Sequence, residues 1–120
     1  MTHGRILIAE RDIFVRKMCE DYFFVRGLNV FSYGSGEESL EELGFAKLIR
    51  RNYDRLLTGF ILDGRMNGLE LTEKVVKEFG IPVFMMSGSE IEKEAMAAGA
   101  TGYISKPFEM HDLDAVFRGL

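Results

Sequence analysis

Side chains able to act on a charged substrate stand just past short apolar runs of this chain. Glu10, Arg11 and Asp12 follow RILIA (residues 5–9), Asp63 follows LTGFIL (57–62), Ser87 closes PVFMMS (82–87) and Lys106 follows GYIS (102–105). An aspartate flanked by a second acid, a hydroxyl and an amine can bind a divalent cation and then present its own oxygen to an electrophilic phosphoryl group. The cation and the lysine would neutralise the phosphoryl oxygens, and the serine hydroxyl would donate to one of them. The product would be an acyl phosphate. Arg11 sits awkwardly in such a set, since a guanidinium has no lone pair to give a metal.

These residues need a scaffold that brings strand ends together. The four runs above and NVFSY (29–33) are the candidate strands, each short and apolar or β-branched. Between and after them, Val15/Met18/Cys19/Tyr22, Leu71/Val75/Val76/Phe79, Ile91/Ala95/Ala98 and Leu113/Val116/Phe117/Leu120 each fall on one helical face. A further helix over residues 38–50 is expected to break at Gly44. Ser35 with Glu38 and Ser89 with Glu92 have capping-box spacing, and Gly27, Gly80 and Gly99 suit helix ends. Strict alternation predicts a (βα)5 doubly wound α/β domain over residues 1–120, its five-stranded parallel sheet covered by helices on both faces. Ligands of such open sheets sit outside the carboxyl ends of the strands, where the residues above gather.

Composition narrows the function further. At 120 residues, 47% hydrophobic and 28% charged, the chain fits one globular core, and a net charge of -4 offers no field to gather nucleic acid or an anionic membrane. The basic run KLIRRNYDR (47–55) reads as a solvated helix face. No signal peptide is evident and no apolar run approaches the roughly 18 residues that span a bilayer, so a cytoplasmic location is expected. The single Cys19 reads as core filler, and His3 and His111 as surface residues without partners at metal-ligand spacing.

With these elements in order, the chain resembles a response-regulator receiver domain of two-component phosphorelay systems over essentially its whole length. RILIAERDIFVRKMCEDYFFVRGLNV, GSGEESLEEL, FILD followed by NGLEL, IPVFMMSG and above all AGATGYISKPF carry the resemblance. It implies a CheY-like sheet of order 2-1-3-4-5. It also implies Asp63 as phospho-acceptor, Ser87 as the switch hydroxyl, Tyr103 as the aromatic whose burial follows it, and Lys106 as the phosphate-contacting lysine. Gly88 supplies the small residue that the family needs beside the phosphoryl group, and the Lys106–Pro107 bond is expected to be cis. Magnesium would be held by Glu10, Asp63 and the backbone carbonyl of Arg65, with Asp12 as a further ligand after a small backbone adjustment.

Three departures stand beside the resemblance. Arg11 occupies the second position of the family's acidic corner, and either turns outward or turns inward to pair with Asp63. LDGRMNGLEL has about three residues fewer between acceptor and helix than the family commonly carries, and the segment from Ser87 to Lys106 is also trimmed. The leading expectation is therefore a stand-alone receiver, not an enzyme beyond its own phosphoryl transfer and dephosphorylation. It would take phosphate from a histidine kinase or phosphotransfer protein and switch a downstream partner through the surface between Ser87 and Tyr103. No output domain, direct nucleic-acid contact or membrane contact is expected, and homodimerisation stays open. The competing expectation is an atypical receiver that binds proteins independently of phosphorylation because Arg11 takes a metal-ligand position. A flavodoxin-like cofactor binder, suggested by YGSGEES (33–39), ranks third.

Overall fold

The computed structural model describes residues 4–120, so His3 lies outside the described residues. Strands β1 (Arg5–Ala9), β2 (Asn29–Tyr33), β3 (Arg55–Gly59), β4 (Val83–Ser87) and β5 (Gly102–Ser105) form one sheet of order β2-β1-β3-β4-β5. Every pairing is parallel. Helices α1 (Ile13–Phe24), α2 (Gly36–Leu48), α3 (Gly68–Phe79), α4 (Glu92–Ala97) and α5 (Asp114–Phe117) connect and follow them.

Alternate strand residues feed two cores. Ile6, Ile8, Leu57 and Met86 pack against Cys19, Tyr22 and Phe23 of α1 and against Leu113 and Val116 near the C-terminus. Leu7, Ala9, Leu56 and Val83 pack on the opposite face against Leu43, Ala46, Leu71 and Val75 of α2 and α3. Both sheet faces are thus covered, which is why the strands are apolar on both sides. Burial of this kind pushes the Cys19 thiol up to about 12, and the same cause, joined by the acceptor carboxylate of Asp114, pushes the Tyr22 phenol up to about 12. The stability these two groups confer is complete below their ordinary values of 9.0 and 10.0, and falls as pH rises from there, because the unfolded chain gives up its protons first. Urea melts at about pH 8 and about pH 10.5 check this, with a lower midpoint expected at the higher pH.

Several local expectations need correction. Helix α2 runs unbroken through Gly44, whose missing side chain faces open space. Ser35 caps α2 by accepting from the Glu38 N–H, but Ser89 does not cap α4, whose first turn follows Ile91 without a side-chain acceptor. The C-terminal amphipathic face is only a 3-10 turn (Met110–Leu113) and the single turn of α5. β4 begins one residue later than expected, at Val83. The largest correction concerns β3, which starts at Arg55 and ends at Gly59, three residues short of the expected end.

The chain leaves the sheet after Gly59 because α3 begins directly above it. Gly68 N–H donates to the Phe60 carbonyl at 2.7 Å, and a Cβ on Gly68 would lie 2.0 Å from the Gly59 carbonyl oxygen. Two glycines in helices therefore have opposite expected responses. Gly44→Ala stabilises by about 0.5–1 kcal/mol through helix propensity. Gly68→Ala destabilises by about 3 kcal/mol, the upper end for overpacking, because the obstacle is backbone. Chemical denaturation of the two variants measures both.

Candidate functional site

The parallel register fixes what meets at the carboxyl edge. Ala9 stands opposite Thr58, Gly59 opposite Met86 and Ser87 opposite Ser105, so Glu10, Gly59, Ser87 and Lys106 converge on one edge. There a cavity of about 220 Å³ is lined by Glu10, Arg11, Asp12, Phe60, Ile61, Ser87, Gly88, Ser89 and Lys106.

Glu10 is its centre. Its Oε1 accepts from Lys106 Nζ at 2.8 Å, and its Oε2 from the Asp12 N–H at 2.8 Å. The Glu10 side chain is 3% exposed and that of Lys106 is 27% exposed, so the pair is shielded on the carboxylate side and reachable by solvent on the amine side. Ser87 is buried, and its Oγ accepts from the Ser89 N–H at 3.0 Å. Tyr103 is half-buried and its hydroxyl donates to the Ser89 carbonyl. The Lys106–Pro107 bond is cis.

Asp63 is not in this cluster. It does not line the cavity, and its N–H donates to the Gly34 carbonyl at 2.9 Å, where the chain bridges to Ser35 beyond β2. A Cβ on Gly34 would lie 2.6 Å from Asp63 Oδ2, which puts that carboxylate beside the β2–α2 turn. The expectation that Asp63 ends β3 is therefore corrected, and its carboxylate does not join Glu10, Ser87 and Lys106. The residue that ends β3 is the buried Gly59, and a Cβ there would lie 2.8 Å from Glu10 Oε1. Counted from Gly59, the connection to α3 covers residues 60–67, and its apparent shortening disappears.

The remaining metal ligands disperse for separate reasons. Arg65 sits on an exposed turn, and its N–H donates to Glu37 Oε2 at 3.0 Å, so its carbonyl is not at the cavity. That contact holds the Glu37 carboxyl below its usual range. Asp12 caps α1, its Oδ1 accepting from Phe14 N–H at 2.9 Å and Val15 N–H at 3.3 Å. Arg11 is exposed at the cavity wall and forms no ion pair with Asp63, so the outward alternative holds. Among the described residues no group of three His, Cys, Asp or Glu side chains is placed to hold a metal ion. With both Glu10 oxygens engaged and a guanidinium at the wall, the residues present do not fit the family's magnesium site.

Sequence reasoning missed Gly59. One signal in the sequence is the glycine inside LTGFIL, and the structure bears it out, since Ile61 two residues beyond is 56% exposed, unlike a strand buried on both faces.

Comparison with known proteins agrees with the fold. Residues 6–118 match the model of the response regulator receiver domain. The chain is 33% identical over 114 residues to the transcriptional activator protein PfeR of Pseudomonas aeruginosa, covering 92% of this chain and 35% of that protein. It spans about half or less of the other curated relatives it matches. The chemotaxis response regulator CheY4 of Vibrio cholerae superposes with a TM-score of 0.81 at 25% identity, covering 97% of both chains. A CheY-like receiver domain protein of Methanospirillum hungatei gives 0.79 at 27% identity over 97% of this chain and 91% of that one.

Proposed function

The chain belongs to the response-regulator receiver family, and from that premise we propose that it is a protein-interaction module whose binding does not depend on phosphorylation. One observation carries the reading: the residue that closes β3 beside Glu10, Ser87 and Lys106 is Gly59, which has no side chain to attack a phosphoryl group. An acyl phosphate needs a carboxylate oxygen within reach of the lysine and the hydroxyl that stabilise the transferring group. Among the described residues, the carboxylate paired with Lys106 is that of Glu10, and both its oxygens are already engaged. The competing reading, a receiver phosphorylated on Asp63 by a histidine kinase or phosphotransfer protein, requires a carboxylate that lies beside Gly34 instead.

In this reading the module is not an enzyme and uses no magnesium, and it acts in the cytoplasm by presenting a surface to a downstream protein. That surface is the groove of about 650 Å³ between Ser87 and Lys106, which includes Ser89, Lys93 and Tyr103. The reason for independence from phosphate is Gly59 rather than an inward Arg11.

The test is incubation with acetyl phosphate and Mg²⁺ followed by intact-mass measurement. Wild type and Asp63→Asn are both expected to remain unmodified. Uptake of one phosphoryl group by wild type, lost in Asp63→Asn, would falsify the reading and restore Asp63 as acceptor.

A further inference from the structure

Among the described residues, Glu10 is the only charged side chain that belongs to the buried set. A carboxylate withdrawn from water is costly unless it is paired and hydrogen-bonded, and Glu10 satisfies this through Lys106 and the Asp12 N–H. Its location is specific as well. Because a Cβ on Gly59 would fall 2.8 Å from Glu10 Oε1, the Glu10 carboxylate fills the volume into which a side chain at position 59 would grow.

Lys106 connects that carboxylate to the neighbouring loop. Its backbone N–H donates to the Ser87 carbonyl at 2.8 Å. Ser87 Oγ accepts from Ser89 N–H at 3.0 Å, and the Ser89 carbonyl accepts from the Tyr103 hydroxyl. The path from the end of β1 to the surface beside α4 is thus continuous.

We propose that Glu10 is a built-in substitute for the carboxylate that position 59 lacks, and that its pairing with Lys106 holds the surface between Ser87 and Tyr103 in one setting without any phosphoryl group. This deepens the phosphorylation-independent reading and rests on it. Glu10 acts here as a positioning residue, since it is buried and reaches the presented surface only through Lys106. A pair that contributed stability alone would leave the Ser89–Tyr103 contact where it is when broken. A lock would not.

Amide spectra by ¹H–¹⁵N NMR of wild type, Glu10→Gln, Lys106→Met and the double variant separate the two cases. The lock predicts that both single variants shift the amides of Ser87, Gly88, Ser89 and Tyr103 in the same direction, and that the double variant moves them no further. Shifts confined to the neighbours of each altered side chain, with Ser89 and Tyr103 unmoved, overturn it. Should Glu10→Gln not fold, Lys106→Met and Lys106→Arg carry the comparison: Lys106→Arg, which keeps a cation on Glu10, is expected to lie closer to wild type, and identical shifts in the two overturn the lock. Acetyl phosphate and Mg²⁺ added to the wild-type sample report on the underlying reading separately, because phosphoryl uptake would defeat phosphate independence while the variant spectra still decide the lock.

Discussion

Gly59→Asp combined with Arg11→Asp is expected to give a protein that is modified by acetyl phosphate in the presence of Mg²⁺ at position 59. The other parts already stand at the strand ends: Ser87 and Lys106 line the same cavity as Glu10, and Gly59 pairs with Met86, the residue before Ser87. What is missing is a carboxylate on β3 and a second acid in place of the guanidinium. The new side chain must displace Glu10, because its first carbon would meet Glu10 Oε1 at 2.8 Å. Without metal, the double variant therefore gathers carboxylates around one lysine and should be less stable than wild type. Magnesium reverses the effect by binding only the folded state, adding about 1.4 kcal/mol when its concentration is ten times Kd. Thermal melts with and without Mg²⁺, and intact mass after acetyl phosphate treatment, read the two halves of the expectation. No metal-dependent stabilisation and no uptake would mean that Ser87 and Lys106 are not poised for phosphoryl chemistry, and that more than two side chains separate this site from a working one.

The sequence conveyed the scaffold better than the site for a physical reason that β3 illustrates. β1, β2 and β5 begin and end at the residues expected from their apolar runs, because each run stops where the chain leaves the sheet. In β3 the run does not stop there. Phe60 and Leu62 are apolar because the connection packs back onto the sheet, Leu62 in the α2/α3 core and Phe60 beside Met85 and Ala95. Apolar sequence marks burial, and burial continued past the strand. Beside the glycine inside the run, the shortfall of about three residues before Asn67–Gly68 is the second clue, since the close approach of Gly68 to Gly59 fixes where the strand must end. Moving the end from Leu62 to Gly59 removes the shortfall and puts a glycine, rather than Asp63, beside Glu10.

Arg11 illustrates the converse. Its type was informative, as a cation in an acidic corner, but its direction depended on neighbours that sequence does not rank. Glu10 points inward because Lys106 reaches it across the sheet edge, Asp12 turns to cap α1, and Arg11 between them is left at the surface. Helix capping and a cross-sheet ion pair thus settled a choice that spacing left open.

Lys106→Met is expected to have the largest effect on stability of any single change at the site, about 3 kcal/mol, the low end of what breaking a buried pair costs because the lysine side chain is 27% exposed. The cost arises at Glu10, which stays 3% exposed on its side chain and loses the cation paired with it. Glu10→Gln should cost less, about 1–2 kcal/mol, since the amide oxygen can still accept from the Asp12 N–H and the freed ammonium can turn to water. Adding Glu10→Gln to Lys106→Met should then recover part of the loss, because the double variant no longer buries an unpaired charge. Urea denaturation of the four proteins gives the coupling directly. Two single losses that simply add would mean that the lysine and the carboxylate act independently, and that Glu10 is held in place by the Asp12 backbone alone.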